Sequence, residues 1–246
     1  MPRMQIELPL KIERQPDYTT CGPTSLHSVY RFLGDDISLG QVIEEVPKNP
    51  GGGTLNVHLA VHALRRGYKA DVYAFGINVL DPTWFQVPTN IPAKVRARFE
   101  KRGTLTDPKT AQAMESIDEY FERGGRYHFE ELTPNLITRF LRRGLPLLTG
   151  TNGTYLYDCA RETDDKADDV HGDALGHFVV VCGYDSKSRK VNIADPLKDN
   201  PAHGVSYYKV SIHRLIGAIF LGVTSYDSNF LVLTPPKRLK AAAKRP

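Results

Sequence analysis

The sequence is poor in the residues that cross-link small secreted folds. Its 246 residues hold three cysteines, Cys21, Cys159 and Cys182, too scattered for a disulfide framework and without the CxxC pair of a structural zinc site. Reduced thiols are the expectation. No run approaches the ~20 apolar residues that span a bilayer, and the opening MPRMQIELPLKIERQ lacks the apolar core of a secretion signal. The expected compartment is the cytoplasm, with no membrane segment. A large excess of one charge is also missing, because 32 Lys plus Arg face 28 Asp plus Glu, a formal +4. Lys237, Arg238, Lys240, Lys244 and Arg245 all fall in the last ten residues, which leaves 27 cations against 28 acids, or −1, over the remainder. A basic face for nucleic acid is therefore not expected. The tail over 237–246 reads as a flexible, solubilising end, with an acidic partner as the alternative.

An apolar fraction of 41% and a charged fraction of 24% are those of an ordinary globular protein, and the length buries a full core. The expected organisation is one domain over 1–236 with insertions near 81–130 and 158–175. Residues 5–14 read as a short strand or extended lead-in. QPDYTTCGP then brings Pro and Gly to a helix start, and Leu26, Val29, Tyr30 and Leu33 recur at helical spacing as far as Gly34. Pro23 suits the first turn, where its missing N–H costs nothing. Further helices are expected in ISLGQVIEEV, TLNVHLAVHALRRGY, AQAMESIDEYFERGG and TPNLITRFLRRGLP, with a strand at ADVYAFG. Residues 81–110 are only weakly periodic and are expected to be an irregular excursion. LPLLTGT, HFVVVCGYD, KVNIADP and SNFLVLTP read as strands. Helices first and antiparallel sheet second make an α+β architecture, with the helix of Cys21 packed on a sheet that carries His177 and Asp195.

A thiol is mostly protonated at neutral pH, so a catalytic cysteine needs a base or a helix N-terminus beside it. Cys21 stands at a predicted helix start, where unpaired amides and the dipole favour thiolate and an oxyanion. Gln15, six residues earlier, is placed to fold its carboxamide back as a second oxyanion donor. His177 opens an apolar strand and is a candidate base. Asp195 ends the next strand, across a short hairpin, where antiparallel pairing sets a carboxylate beside the imidazole. Each residue alone also has a plain reading: a packed thiol, a surface amide, a strand-end histidine, and a turn-former before Pro196.

Together QPDYTTCGPTSL, GHFVVVCGYD and VNIADP resemble the papain-like cysteine peptidases related to the bacteriocin-processing, double-glycine leader peptidases, from residue 15 to about residue 200. The resemblance implies Gln15 at the oxyanion hole, Cys21 as nucleophile, His177 as base, Asp195 as its orienter, and a peptide or amide substrate. The transporter-linked members of that family are shorter domains fused to membrane and ATPase regions. This chain carries neither, so leader cleavage during export does not carry over. The implied reaction is hydrolysis through an acyl-thioester. Acyl transfer to an amine, or peptide binding without turnover, are the alternatives.

No cofactor or metal is expected. His58 and His62 share a helical face, but no Glu completes an HExxH base. The aspartates at 164, 165, 168, 169 and 173 do not follow the EF-hand order, and their stretch reads as a solvent-facing loop. With residues 81–130 it is a candidate substrate-selecting lid or wall. The aromatics of YHF, TYLYD and SYY are candidate cleft liners, although most are expected to pack.

Overall fold

The computed structural model describes residues 4–50, 52–77, 79–102, 108–164, 166–222, 228–237 and 239. Asp165, residues 103–107 and most of the basic tail therefore lie outside the described residues. The chain opens with β1 (Gln5–Glu7), then α1 (Cys21–Phe32), α2 (Leu39–Glu45), α3 (Asn56–Arg65), β2 (Lys69–Ala74), a 3-10 turn (Pro82–Phe85), α4 (Ile91–Arg102), α5 (Pro108–Glu122), β3 (Arg126–His128) and α6 (Pro134–Leu141). The second half adds β4 (Leu147–Asn152), α7 (Gly153–Tyr157), β5 (Glu162–Thr163), β6 (Lys166–Ala167), β7 (Gly176–Asp185), β8 (Lys190–Ala194), β9 (Tyr207–Ser211), α8 (Ile212–Leu221) and β10 (Asn229–Thr234).

The main sheet runs β3-β2-β10-β4-β7-β8-β9, and β1 pairs with β7 beyond the end of β4. Neighbours are antiparallel except β2 and β3, which are parallel. Strand periodicity explains why β7 is apolar throughout: Phe178, Val180 and Cys182 enter one buried cluster, Val179 and Val181 the other. Helices α1 to α5 supply the first cluster and α6 to α8 the second. The helices thus cover both faces of the sheet, where the sequence reading had set a helical part against a sheet. Helix α1 meets β7 directly, with Ser25 Oγ donating to the Phe178 carbonyl at 3.3 Å inside the core.

Two other expectations are corrected. The described residues of 81–110 are not wholly irregular, since they hold the 3-10 turn and α4. Among the described residues of α4 only Val95 and Phe99 are buried, one turn apart, so its apolar stripe is too narrow to stand out in sequence. The acidic stretch is no simple loop either: β5 and β6 pair, and Glu162 bridges to Asp173. The short strand or lead-in expected over 5–14 is strand at Gln5–Glu7.

The β7–β8 hairpin brings Asp195 back toward His177. Asp185 Oδ1 accepts from Lys187 N–H at 2.9 Å and its Oδ2 from Ser188 Oγ at 2.9 Å, an Asx-type turn. Arg189 takes a left-handed φ of 54° to close it. A bulge between Val181 and Gly183 shifts the register. A side chain at Gly183 would meet the Ile6 carbonyl at 2.6 Å, so this glycine is what lets β1 lie against the bulge.

Candidate active site

Cys21 is the first residue of α1. The preceding Thr20 gives no side-chain cap, because its hydroxyl donates to the Asp17 carbonyl at 3.1 Å. Thr24 N–H is the first to reach back, to the Thr20 carbonyl at 3.0 Å. Pro23 has no N–H, so Cys21 and Gly22 carry the amides that the helix leaves without an intrahelical acceptor. The positive end of the helix dipole therefore lies at the residue that carries the sulfur, with no side chain capping it. Gly22 allows the close approach, since a Cβ there would meet Thr54 Cγ2 at 2.4 Å and Phe178 Cδ2 at 3.3 Å.

His177 is the second residue of β7, opposite Thr151 of β4. Its carbonyl accepts from Thr151 Oγ1 at 3.0 Å, and Leu175 N–H donates to Thr154 Oγ1 at 2.9 Å, which holds the segment entering the strand. The imidazole is 4% exposed. Its Nε2 meets Asp195 Oδ1 at 2.8 Å, and the ring shares a cavity with Cys21, close enough to be influenced by the sulfur. Burial pushes the imidazole pKa down, but the adjacent Asp195 carboxylate and the Cys21 sulfur outweigh it and raise it to about 10.

Asp195 is fully buried, just past the end of β8. Oδ1 accepts from His177 and from Leu197 N–H at 2.8 Å. Oδ2 accepts from Tyr157 Oη at 2.8 Å and Tyr208 Oη at 2.7 Å. Burial favours the neutral acid, yet the charge of His177 and these donors hold the carboxyl below its ordinary value. Cys21, His177 and Asp195 are thus brought into one chain of contacts. Gln15 is buried beside them but joins none of these bonds: its N–H donates to the Pro196 carbonyl at 3.0 Å and its Nε2 to the Asp17 carbonyl at 2.9 Å.

A cavity of about 220 Å³ opens at Cys21 and His177. Tyr18, Asn49, Gly52, Gly53 and Thr54 are among its walls, so one side is a glycine-bearing turn with little side chain. None of the described residues of 81–130 lines it. The acidic hairpin is joined to this wall by a hydrogen bond from Tyr18 Oη to Glu162.

The two other thiols are poorly placed for chemistry. Burial pushes Cys182 up to about 12, and burial followed by neighbouring carboxylates raises Cys159. His58 and His62 do not converge. Both ring nitrogens of His62 are taken, by Tyr30 Oη at 2.8 Å and Glu45 at 2.9 Å, while His58 Nδ1 turns to Thr54 at 3.3 Å. Sequence reasoning missed Tyr157, Tyr208 and the Leu197 amide. TYLYD and SYY marked the tyrosines, but as cleft liners rather than partners of a carboxylate.

The sequence model of the Peptidase_C39 like family matches residues 7–215. The chain belongs to this family. No curated protein matches this C39-like chain. Among solved structures, a protein from Bacillus anthracis described as a C39-like peptidase superposes with a TM-score of 0.52 at 15% identity, over 95% of this chain and 98% of that one. The peptidase domain of Streptococcus ComA, a bifunctional ABC transporter, gives 0.44 at 16% identity over 92% and 99%. Xylellain, a cysteine protease from Xylella fastidiosa, gives 0.42 at 14% identity over 94% and 86%. The fold is the α+β papain-like peptidase fold, and the family's activity is cysteine-dependent hydrolysis of a peptide or amide bond through a thioester. Among the described residues no helix is long and apolar enough to cross a membrane.

Proposed function

We propose that Cys21 Sγ is the nucleophile, His177 its acid and base, Asp195 the carboxylate that orients His177, and Gln15 an oxyanion donor. The observation that carries this reading is the imidazole held between thiol and buried carboxylate, Nε2 to Asp195 at 2.8 Å. The raised imidazole favours imidazolium beside the Cys21 sulfur, so His177 holds the proton that the leaving amine will need. The sulfur adds to the substrate carbonyl. The oxyanion accepts from the Cys21 N–H and from the Gln15 Nε2 proton not used on Asp17. As the C–N bond breaks, His177 gives its proton to the leaving amine. Neutral His177 then takes a proton from water as the water oxygen attacks the thioester carbonyl. The C–S bond breaks, thiolate returns, and the imidazolium is restored. Gly52 and Gly53 leave main chain bare on one wall, which fits an extended peptide more than a bulky amide.

Brief iodoacetamide treatment across pH, read by intact mass, tests the assignment. One rapid adduct near neutral pH, absent in Cys21→Ala and slowed at least ten-fold in His177→Ala, is the expected result. Labelling at an ordinary thiol pH that ignores His177 refutes it.

A further inference from the structure

We propose that Tyr157 and Tyr208 are positioning residues that act on the reaction through Asp195, holding its carboxylate charged and turned so that only Oδ1 faces His177. The inference rests on the assignment of Cys21, His177 and Asp195 above and extends it to two residues outside the cavity. The two phenols arrive from different elements. Tyr157 closes α7 and Tyr208 lies in β9, where Ile193 of β8 is its strand partner. Both are buried, 3% and 8% exposed, and both oxygens converge on Oδ2, at 2.8 and 2.7 Å. With the Leu197 amide on the other oxygen at 2.8 Å, three donors besides His177 satisfy the carboxylate.

A carboxylate removed from water is costly unless its lone pairs are filled. Here no solvent reaches Asp195, so the phenols stand in for water. They are also donors that do not switch off. Burial, then the charge of Asp195, lifts each tyrosine far above its ordinary value, so neither O–H is lost at any pH at which the protein is handled. The titratable groups facing Asp195 are His177 from β7, Tyr157 from α7 and Tyr208 from β9, with Cys21 of α1 beyond the imidazole. The geometry has a directional consequence as well. With Oδ2 occupied twice, the carboxylate does not rotate without breaking two charged hydrogen bonds, and Nε2 stays committed to Oδ1, which leaves Nδ1 for the thiol.

Tyrosine to phenylalanine keeps the ring and removes only the bond. In Tyr157→Phe and Tyr208→Phe, the pH profile of Cys21 labelling by iodoacetamide should move its acid limb to higher pH, because a buried carboxyl with fewer donors takes a proton more readily. The rate on that limb should fall about ten-fold in each variant. In an Asp195→Asn background the same substitutions should cost no further rate, which a general packing defect would not reproduce. Parent-like profiles in both phenylalanine variants overturn the inference while leaving the three-residue assignment intact. So does an equal loss with and without Asp195. A parent protein whose labelling ignores His177→Ala overturns the assignment itself, and the inference with it. Should one variant fail to fold, the other decides alone, since each removes one of the two bonds.

Discussion

Asp195 and His177 are a buried pair whose ionisations support each other, and the sign of that support sets a pH window. His177 is raised to about 10, against about 6.5 in an unfolded chain. Its contribution to stability is therefore complete below about 6.5 and is lost as pH climbs through 10. Asp195 is lowered; its contribution is present above the ordinary carboxyl value of ~3.9 and is lost as pH falls through the lower folded value. The melting temperature of the parent should thus exceed that of Asp195→Asn most near pH 5 to 6, on the order of several degrees, and the gap should narrow toward pH 10. Thermal melts followed by circular dichroism at stepped pH measure it. A gap that stays constant across that range contradicts the ion pair.

At the scale of elements, the N-terminus of α1 sits where it does because residue 22 has no side chain. Gly22→Ala should push the helix start away from Thr54 and Phe178, destabilise the protein by about 1–3 kcal/mol and slow Cys21 labelling. Thr54→Ser deletes the Cγ2 that the new methyl would meet at 2.4 Å while keeping the hydroxyl bond to the Pro47 carbonyl, and should restore much of both. Denaturant titration and the labelling rate, taken on the two single variants and the double, provide the check. An unrescued double variant would mean that the strain lies elsewhere. This junction was legible in the sequence, as Cys, Gly and Pro follow one another before a helical repeat. The β7–β8 hairpin was legible too, because Asp185 and the short turn to Arg189 fold β8 back along β7 and bring Asp195 within reach of His177, although the bulge between Val181 and Gly183 was not. Helix α4 was not, because among its described residues only Val95 and Phe99 are buried. The tyrosine partners of Asp195 were not either. Neighbouring tyrosines at 155 and 207 are exposed, and only tertiary structure tells which of each pair turns inward. Gln15 was legible as a residue of interest, but its buried bonds to Pro196 and Asp17 were not.

For the whole molecule, two apolar clusters share one sheet, and their independence is measurable. Leu26 of α1 and Leu215 of α8 are both fully buried and lie in opposite clusters. Each Leu→Ala change should cost about 2–5 kcal/mol, and the double variant should approach the sum to within about 0.5 kcal/mol. Trp84, the sole tryptophan, packs against the first cluster from the segment between β2 and α4. Its fluorescence and the far-UV signal should report one coincident transition if the residues up to 236 fold as a single domain. Separate midpoints would mark 81–130 as an independent unit.

The segment before Cys21 is tied to the far end of the chain. Strand β1 lies on β7, Ile12 N–H donates to Tyr207 Oη at 2.8 Å, and Gln15 N–H donates to the Pro196 carbonyl at 3.0 Å. On the ribosome, residue 21 precedes residue 195 by on the order of ten to thirty seconds of synthesis. For most of that interval the nascent chain carries Cys21 without His177, and throughout it without Asp195 and without a completed sheet behind the thiol. On the assignment proposed above, chain connectivity therefore works as a timer: a growing polypeptide with Cys21 already emerged has no assembled centre with which to cut itself or its neighbours.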